Sequence, residues 1–210
     1  IASFCDQIYM RFVMSPQFDE YLRNHVNRVL AHAEATAPTT GSTTHFFTDA
    51  VLDHYSYRFG SLSGGSSNLR WKQRFYVNDK YWKGDGAPVF LYIGGEGPQG
   101  APSDHLFMAT LAQKEGALMV ALEHRFYGES RPTNDMSVGN LKFLTSEQAL
   151  GDLAHFTNYL KDPDPAQSTP ALNLKYSAAA SKFVTFGGSY PGALSAWYKP
   201  VMILQRTFVD

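Results

Sequence analysis

The chain holds 210 residues, 44% hydrophobic and 18% charged, with 18 Lys and Arg against 19 Asp and Glu. It can bury a core, which excludes wholesale disorder, and a net charge of −1 leaves no electrostatic footprint for nucleic acid or an anionic membrane. No window approaches ~18 uninterrupted apolar residues, so no membrane span is expected, and Cys5, the only cysteine, excludes an intrachain disulfide framework and a multi-Cys zinc site within these residues.

The first residues, IASFCDQIYMRFVM, carry Asp6, Gln7 and Arg11 and do not read as a signal peptide. Ser15 and Pro16 predict a helix start, as N-cap and first helical position, and Phe18, Leu22, Val26, Val29 and Ala33 recur at helical spacing. TAPTTGSTT over 36–44 predicts a linker and GSLSGGSS over 60–67 a flexible loop. Residues 1–45 are thus expected to form an N-terminal helical extension and linker.

From residue 70 the pattern changes. Trp71, Gln73, Phe75 and Val77 lie on one face of a predicted strand, and PVFLYIG over 88–94 is apolar throughout, as in a strand covered on both faces. A helix is expected over 103–114 with Ser103 as its cap, then a second buried strand over 117–123. Thr145 and Gln148 have capping-box spacing ahead of a helix to about Leu160. A polar loop over 161–181 leads to a third buried strand over 182–188. Alternating strands and helices predict an α/β fold with a mostly parallel sheet and helices on both faces.

Gly95, Gly97 and Gly100 match G-x-G-x-x-G after a strand, and Glu123 ends the next strand where a ribose-binding acid would sit. A dinucleotide site needs free backbone N–H groups at a helix N-terminus. Pro98 and Pro102 each lack one, and Pro102 delays the helix, so a turn or a backbone anion hole is the better reading.

FVTFGGSYPGALSAW over 183–197 has the layout of a nucleophile elbow: a strand, a tight turn bearing Ser189, and a helix rich in small residues. Neighbours two positions either side of the serine must be small. Gly187 is; Pro191 occupies the other glycine position of G-x-S-x-G, where its missing N–H costs little in a first helical turn. Gly188 belongs to the same turn and Gly192 permits close helix–strand packing. Upstream, EHRFYGESRP over 123–132 is similar to a turn found at this place in many α/β-hydrolases. Its roles are structural: Glu123 and Arg125, the arginine paired to a carboxylate, and Gly128 making the turn. His124 is read as a satisfied core histidine rather than a catalytic one. GGEGP over 94–98 becomes the loop that supplies an oxyanion N–H, from Gly95 or Glu96, beside the amide of Tyr190.

LDHY (52–55), WKQRFYVND (71–79), FLYIGGEGP (90–98), EHRFYGES (123–130), FLTSEQAL (143–150) and GGSYPGALSAW (187–197) together resemble the family of serine peptidases that holds prolylcarboxypeptidase, dipeptidyl peptidase II and thymus-specific serine protease. The resemblance implies an α/β-hydrolase fold over 46–210, with Ser189 as nucleophile. It implies hydrolysis beside proline at a peptide terminus, as a carboxypeptidase or dipeptidyl peptidase, in lysosomes, vacuoles or outside cells. Proline-containing peptides are the implied partners, with homodimerisation an option and no cofactor or metal.

A Ser-His-Asp machine in this fold has the chain order Ser, Asp, His. After Ser189 the sequence holds Asp210 and no histidine; His25, His32, His45, His54, His105, His124 and His155 all precede it. Beyond Lys199 the resemblance stops, and Pro200 is expected to break the helix. The expectation is an N-terminal portion of a family member, truncated after the elbow and inactive alone. The alternatives are an esterase or lipase of the same fold, which would prefer acyl esters, and a non-catalytic hydrolase-fold binding protein.

Overall fold

Valine, leucine and isoleucine dominate two short runs that need cover on both faces, and these runs form neighbouring strands within a five-stranded sheet. The computed structural model describes residues 41–55, 69–161 and 181–207, and side chains as far as Tyr198. The helix expected from Ser15, most of the 36–44 linker, the 60–67 loop and most of the 161–181 loop lie outside the described residues. The strands are β1 (Ser42–Val51), β2 (Arg70–Asn78), β3 (Val89–Ile93), β4 (Leu118–Leu122) and β5 (Phe183–Phe186). The helices are α1 (Phe107–Glu115), α2 (Val138–Leu141), α3 (Ser146–Lys161) and α4 (Tyr190–Thr207). The order across the sheet is β1-β2-β4-β3-β5.

The sheet is mixed rather than mostly parallel. β3 runs parallel to β4 and to β5, whereas β2 is antiparallel to both β1 and β4. The reason lies in the connection after β2. Residues 79–88 hold no helix and turn the chain back through bonds from Trp82 N–H to Asp79 O and from Ala87 N–H to Gly84 O. Parallel neighbours need a long crossover, which α1 and α3 provide further on.

Alternation along β3 and β4 divides their side chains between two cores. Val89, Leu91, Ile93, Leu118, Val120 and Leu122 face α3 and α4, meeting Leu153, Phe156, Leu194 and Tyr198. Phe90 and Met119 point the other way, against Met108, Ala109 and Ala112 of α1. Helices thus cover both faces, and the arrangement is that of an α/β-hydrolase. On β2, Trp71, Gln73, Phe75 and Val77 are buried as the spacing predicts.

Several boundaries differ. β1 begins at Ser42, so the last residues of the expected linker belong to the sheet, with Thr43 opposite Val77 and Thr44 opposite Tyr76. α1 begins at Phe107, and Ser103 does not cap it. Ser103 instead shapes the preceding turn, where its Oγ accepts the His105 N–H and its carbonyl the Leu106 N–H. The box at α3 is half made. Thr145 Oγ1 accepts the Gln148 N–H at 3.2 Å, but the Gln148 side chain bonds Asp53 and the His54 N–H instead of reaching back. β5 is half-buried rather than buried, with Val184 43% exposed, because it lies at one end of the described sheet. Pro200 does not break α4, whose backbone stays helical to Thr207. An interior proline removes one i→i−4 bond and costs about 3 kcal/mol, which a helix can absorb.

Candidate active site

β5 ends at Phe186 and α4 starts at Tyr190, so Gly187, Gly188 and Ser189 must reverse the chain in one tight turn. Ser189 is exposed and sits at φ 57°, a left-handed conformation that costs a residue with a β-carbon about 1–2 kcal/mol. Its carbonyl accepts the N–H groups of Gly192 at 3.0 Å and Ala193 at 3.2 Å, which starts the helix on Ser189 itself. A β-carbon on Gly187 would run into the Pro191 carbonyl group and lie 2.9 Å from the Gly192 nitrogen. One on Gly192 would lie 3.2 Å from the Gly187 oxygen. Gly188 faces open space and carries no such constraint. Thr185 and Ser195 hydroxyls, 2.6 Å apart, tie strand to helix behind the turn.

The loop after β3 comes up against this turn. A β-carbon on Gly95 would lie 2.8 Å from Pro191 Cγ, so the loop's backbone touches the elbow directly. Gly94, whose N–H donates to Leu122 O at 2.9 Å, is pressed against the β4 backbone below. Glu96, next along, is exposed. The dinucleotide reading fails on the same geometry. The Gln99 N–H donates to Glu123 Oε1 at 3.0 Å, and α1 starts only at Phe107. The Glu123 carboxylate also accepts from Arg74 Nη2, the Glu129 N–H and Ser130 Oγ, leaving it no role toward a ribose.

Behind the turn, Glu123 and Arg125 are both fully buried. Arg125 Nε and Nη2 donate to the two oxygens of Asp152 at 2.7 and 2.6 Å, and its other bonds go to the carbonyls of Val51, Leu52 and Phe143. The expected carboxylate partner is therefore Asp152, which also takes His54 Nε2 at 2.8 Å. Burial alone would raise the Asp152 carboxyl; the Arg125 charge and the bonds from Arg125 and His54 outweigh it and hold the group below the usual carboxylate range. Gly128 makes the turn at φ 55°, where a β-carbon would collide with Glu123 Oε1.

His124 ends 6% exposed, between Arg125 and the elbow. Its Nδ1–H donates to Arg125 O at 2.8 Å, and Tyr190 Oη lies 3.1 Å from Nε2. Burial lowers its pKa and raises that of Tyr190. This bond was not readable from the sequence, although both residues lie within stretches singled out there. An open cleft of about 410 Å³ borders these groups, lined by Glu96, His124, Tyr127, Leu144, Glu147 and Tyr190. Among the described residues no cluster of His, Cys, Asp and Glu could hold a metal ion.

Residues 64–202 match the sequence profile of the family described as Serine carboxypeptidase S28. The chain is similar to the thymus-specific serine protease of Homo sapiens, 40% identical over 185 residues that cover 86% of this chain and 31% of that protein. It is also similar to the lysosomal Pro-X carboxypeptidase of Homo sapiens, 39% identical over 159 residues, covering 71% of this chain and 30% of the relative. The chain therefore spans under a third of the length of these relatives, and the first alignment reaches beyond the stretch 46–199 from which the resemblance was read. Among solved structures it is similar to the thermophilic carboxylesterase EstE1, at a TM-score of 0.43 and 19% identity, over 93% of this chain and 51% of that one.

Proposed function

The chain belongs to the serine carboxypeptidase S28 family, and from that membership we propose that Ser189 is the nucleophile of a serine exopeptidase that cuts beside proline at a peptide terminus. One observation carries the reading: an exposed serine at φ 57° on the turn between β5 and α4, with its neighbours Gly187 and Gly192 packed too tightly for side chains.

In this mechanism Ser189 Oγ attacks the scissile carbonyl carbon and gives its proton to a general base. The carbonyl oxygen takes up negative charge, which the N–H of Tyr190 at the start of α4 stabilises, helped by the helix dipole. A second N–H comes from Gly95 or Glu96, in the loop that Gly95 brings against Pro191. A donor of this kind contributes about 3–4 kcal/mol to such transition states. Collapse breaks the C–N bond, protonates the leaving amine and leaves an acyl group on Ser189 Oγ, which water removes. Glu123 and Arg125, through the bonds described above, and Gly128, through its turn, hold the segment that carries His124.

His124 is poorly suited to be the base, since Nδ1 and Nε2 face the Arg125 carbonyl and the Tyr190 hydroxyl. Residues 1–210 alone are accordingly expected to turn over negligibly. We take residues 46–210 as the N-terminal part of the catalytic domain and 1–45 as an extension to it. The name of the lysosomal Pro-X carboxypeptidase relative supports proline-containing peptides as substrates and a lysosomal, vacuolar or secreted protein. A homodimer is part of the same proposal.

The test is hydrolysis of Pro-Xaa and Xaa-Pro peptides and of short acyl esters by the full reading frame that encodes the chain, beside its Ser189→Ala variant. Peptide turnover abolished by the substitution is expected. Turnover of esters alone would move the assignment to an esterase, and peptide hydrolysis that survives Ser189→Ala would remove Ser189 from the mechanism.

A further inference from the structure

We propose that His124 is a positioning residue for the oxyanion site: by holding the Tyr190 hydroxyl it fixes Tyr190, and with it the backbone N–H next to the nucleophile. The proposal rests on Ser189 being that nucleophile.

The tautomer follows from the partners. A carbonyl oxygen only accepts, so the 2.8 Å contact with Arg125 O places the proton on Nδ1. The neutral ring then presents a lone pair at Nε2, and the Tyr190 hydroxyl donates to it across 3.1 Å. The two rings meet edge to face, with centroids 5.5 Å apart, and Tyr127 closes on the other side of His124 at the same distance. The groups facing His124 are Arg125 on its own segment, Asp152 on α3, Glu96 in the loop after β3, and the tyrosines 127 and 190. Burial outweighs the carboxylates and keeps the imidazole neutral at lower pH than usual.

The anchor is held from several elements. Arg125, whose carbonyl orients His124, is locked by Asp152 and three backbone carbonyls. The turn next to it contains two successive glycines followed by Ser189 at φ 57°. Tyr190 and Ser146, at the start of α3, line the same cleft as His124, so the ring stands where the segment after β4, α3 and α4 meet. Tyr190 is the first residue of α4, a position whose N–H has no partner within the helix. An oxyanion donor is useful only within a few tenths of an ångström of its place.

The experiment uses the full reading frame with Tyr190→Phe, His124→Leu, His124→Gln and the Leu/Phe double variant. Tyr190→Phe and His124→Leu are expected to lower kcat by about ten- to a hundredfold with KM within about threefold. The double variant should be no slower than either single one, because both remove the same bond. His124→Gln should recover most of the rate, since its amide oxygen can stand where Nε2 stands. Full kcat in the folded Tyr190→Phe variant, multiplying effects in the double variant, or a change confined to KM would overturn the proposal. Nitrogen-15 spectra of the imidazole give a second reading, with Nδ1–H expected and an Nε2–H tautomer counting against it. If Ser189→Ala is inactive while Tyr190→Phe keeps full kcat, only this proposal falls; if Ser189→Ala stays active, both fall.

Discussion

Gly95 and Pro191 are packed so closely that a β-carbon on the glycine would lie 2.8 Å from the proline Cγ and 3.3 Å from its Cδ. The proline that departs from G-x-S-x-G is therefore a wall of the site. Its ring sets how near the loop after β3 can come to the first turn of α4, and so the spacing of the two proposed oxyanion donors.

Gly95→Ala should cost about 1–3 kcal/mol through overpacking. Adding Pro191→Gly, which removes the ring, should make the double variant more stable than the sum of the single changes. Urea midpoints measure this; simple additivity would mean that the loop shifts aside without resistance.

The two glycines before Ser189 should respond differently. At Gly187 the obstacle is backbone of Pro191 and Gly192, which cannot rotate away, and Gly187→Ala should cost about 2–4 kcal/mol. Gly188 has open space around it, so Gly188→Ala should change stability by less than about 1 kcal/mol. Thermal unfolding of the pair decides; equal losses would show that the turn as a whole, rather than one contact, excludes side chains.

Asp152→Asn leaves a buried guanidinium facing a neutral partner and should cost about 3–5 kcal/mol. The native carboxyl is held below its ordinary value of 3.8, so the folded state binds fewer protons than the unfolded one near that pH. Its contribution is therefore complete above the ordinary value and fades as pH falls through the folded one. The stability gap between wild type and Asp152→Asn should be flat above about pH 5 and narrow below about pH 4. A gap that narrowed on raising pH would contradict the pairing.

Three described histidines, His45, His124 and His155, have pKa values lowered from 6.5, in each case by burial. Unfolding then takes up protons as pH falls below 6.5, and the stability these neutral rings contribute is full above that value and lost on acidification through their folded values. The melting temperature should fall between pH 7.5 and pH 5, and substituting His155 by Gln should flatten the slope. An unchanged or rising melting temperature would show that the rings titrate as in water.

The elements legible in the sequence were those whose physics is local. β3 and β4 read correctly because strands covered on both faces must be apolar throughout, and the tight turn between β5 and α4 because Gly187, Gly188 and Pro191 mark where a strand gives way to a helix. β1 was missed because its outward residues are polar threonines and a register shift between Phe47 and Ala50 breaks the alternation. Its partner β2 read as a strand, but the sheet direction depended on a helix-free connection that strand patterns do not encode. Arg125 announced a carboxylate without naming it, since Asp152 lies on another element. The Tyr190–His124 bond was hidden for the same reason, being made only when the ends of β4 and β5 come together across β3. Gln148 read as half of a box because its competing partners, Asp53 and His54, are nearly a hundred positions earlier in the chain.

The bonds of Arg125 reach Val51 across 74 positions, Asp152 across 27 and Phe143 across 18. Each separation is a loop whose closure entropy falls due before the guanidinium is rewarded by the full set of acceptors. A partly gathered set leaves a cation in a dry interior, so the node forms nearly whole or not at all. It therefore marks the end of folding rather than its nucleus. Mutations there should chiefly accelerate unfolding, leaving the refolding rate almost untouched.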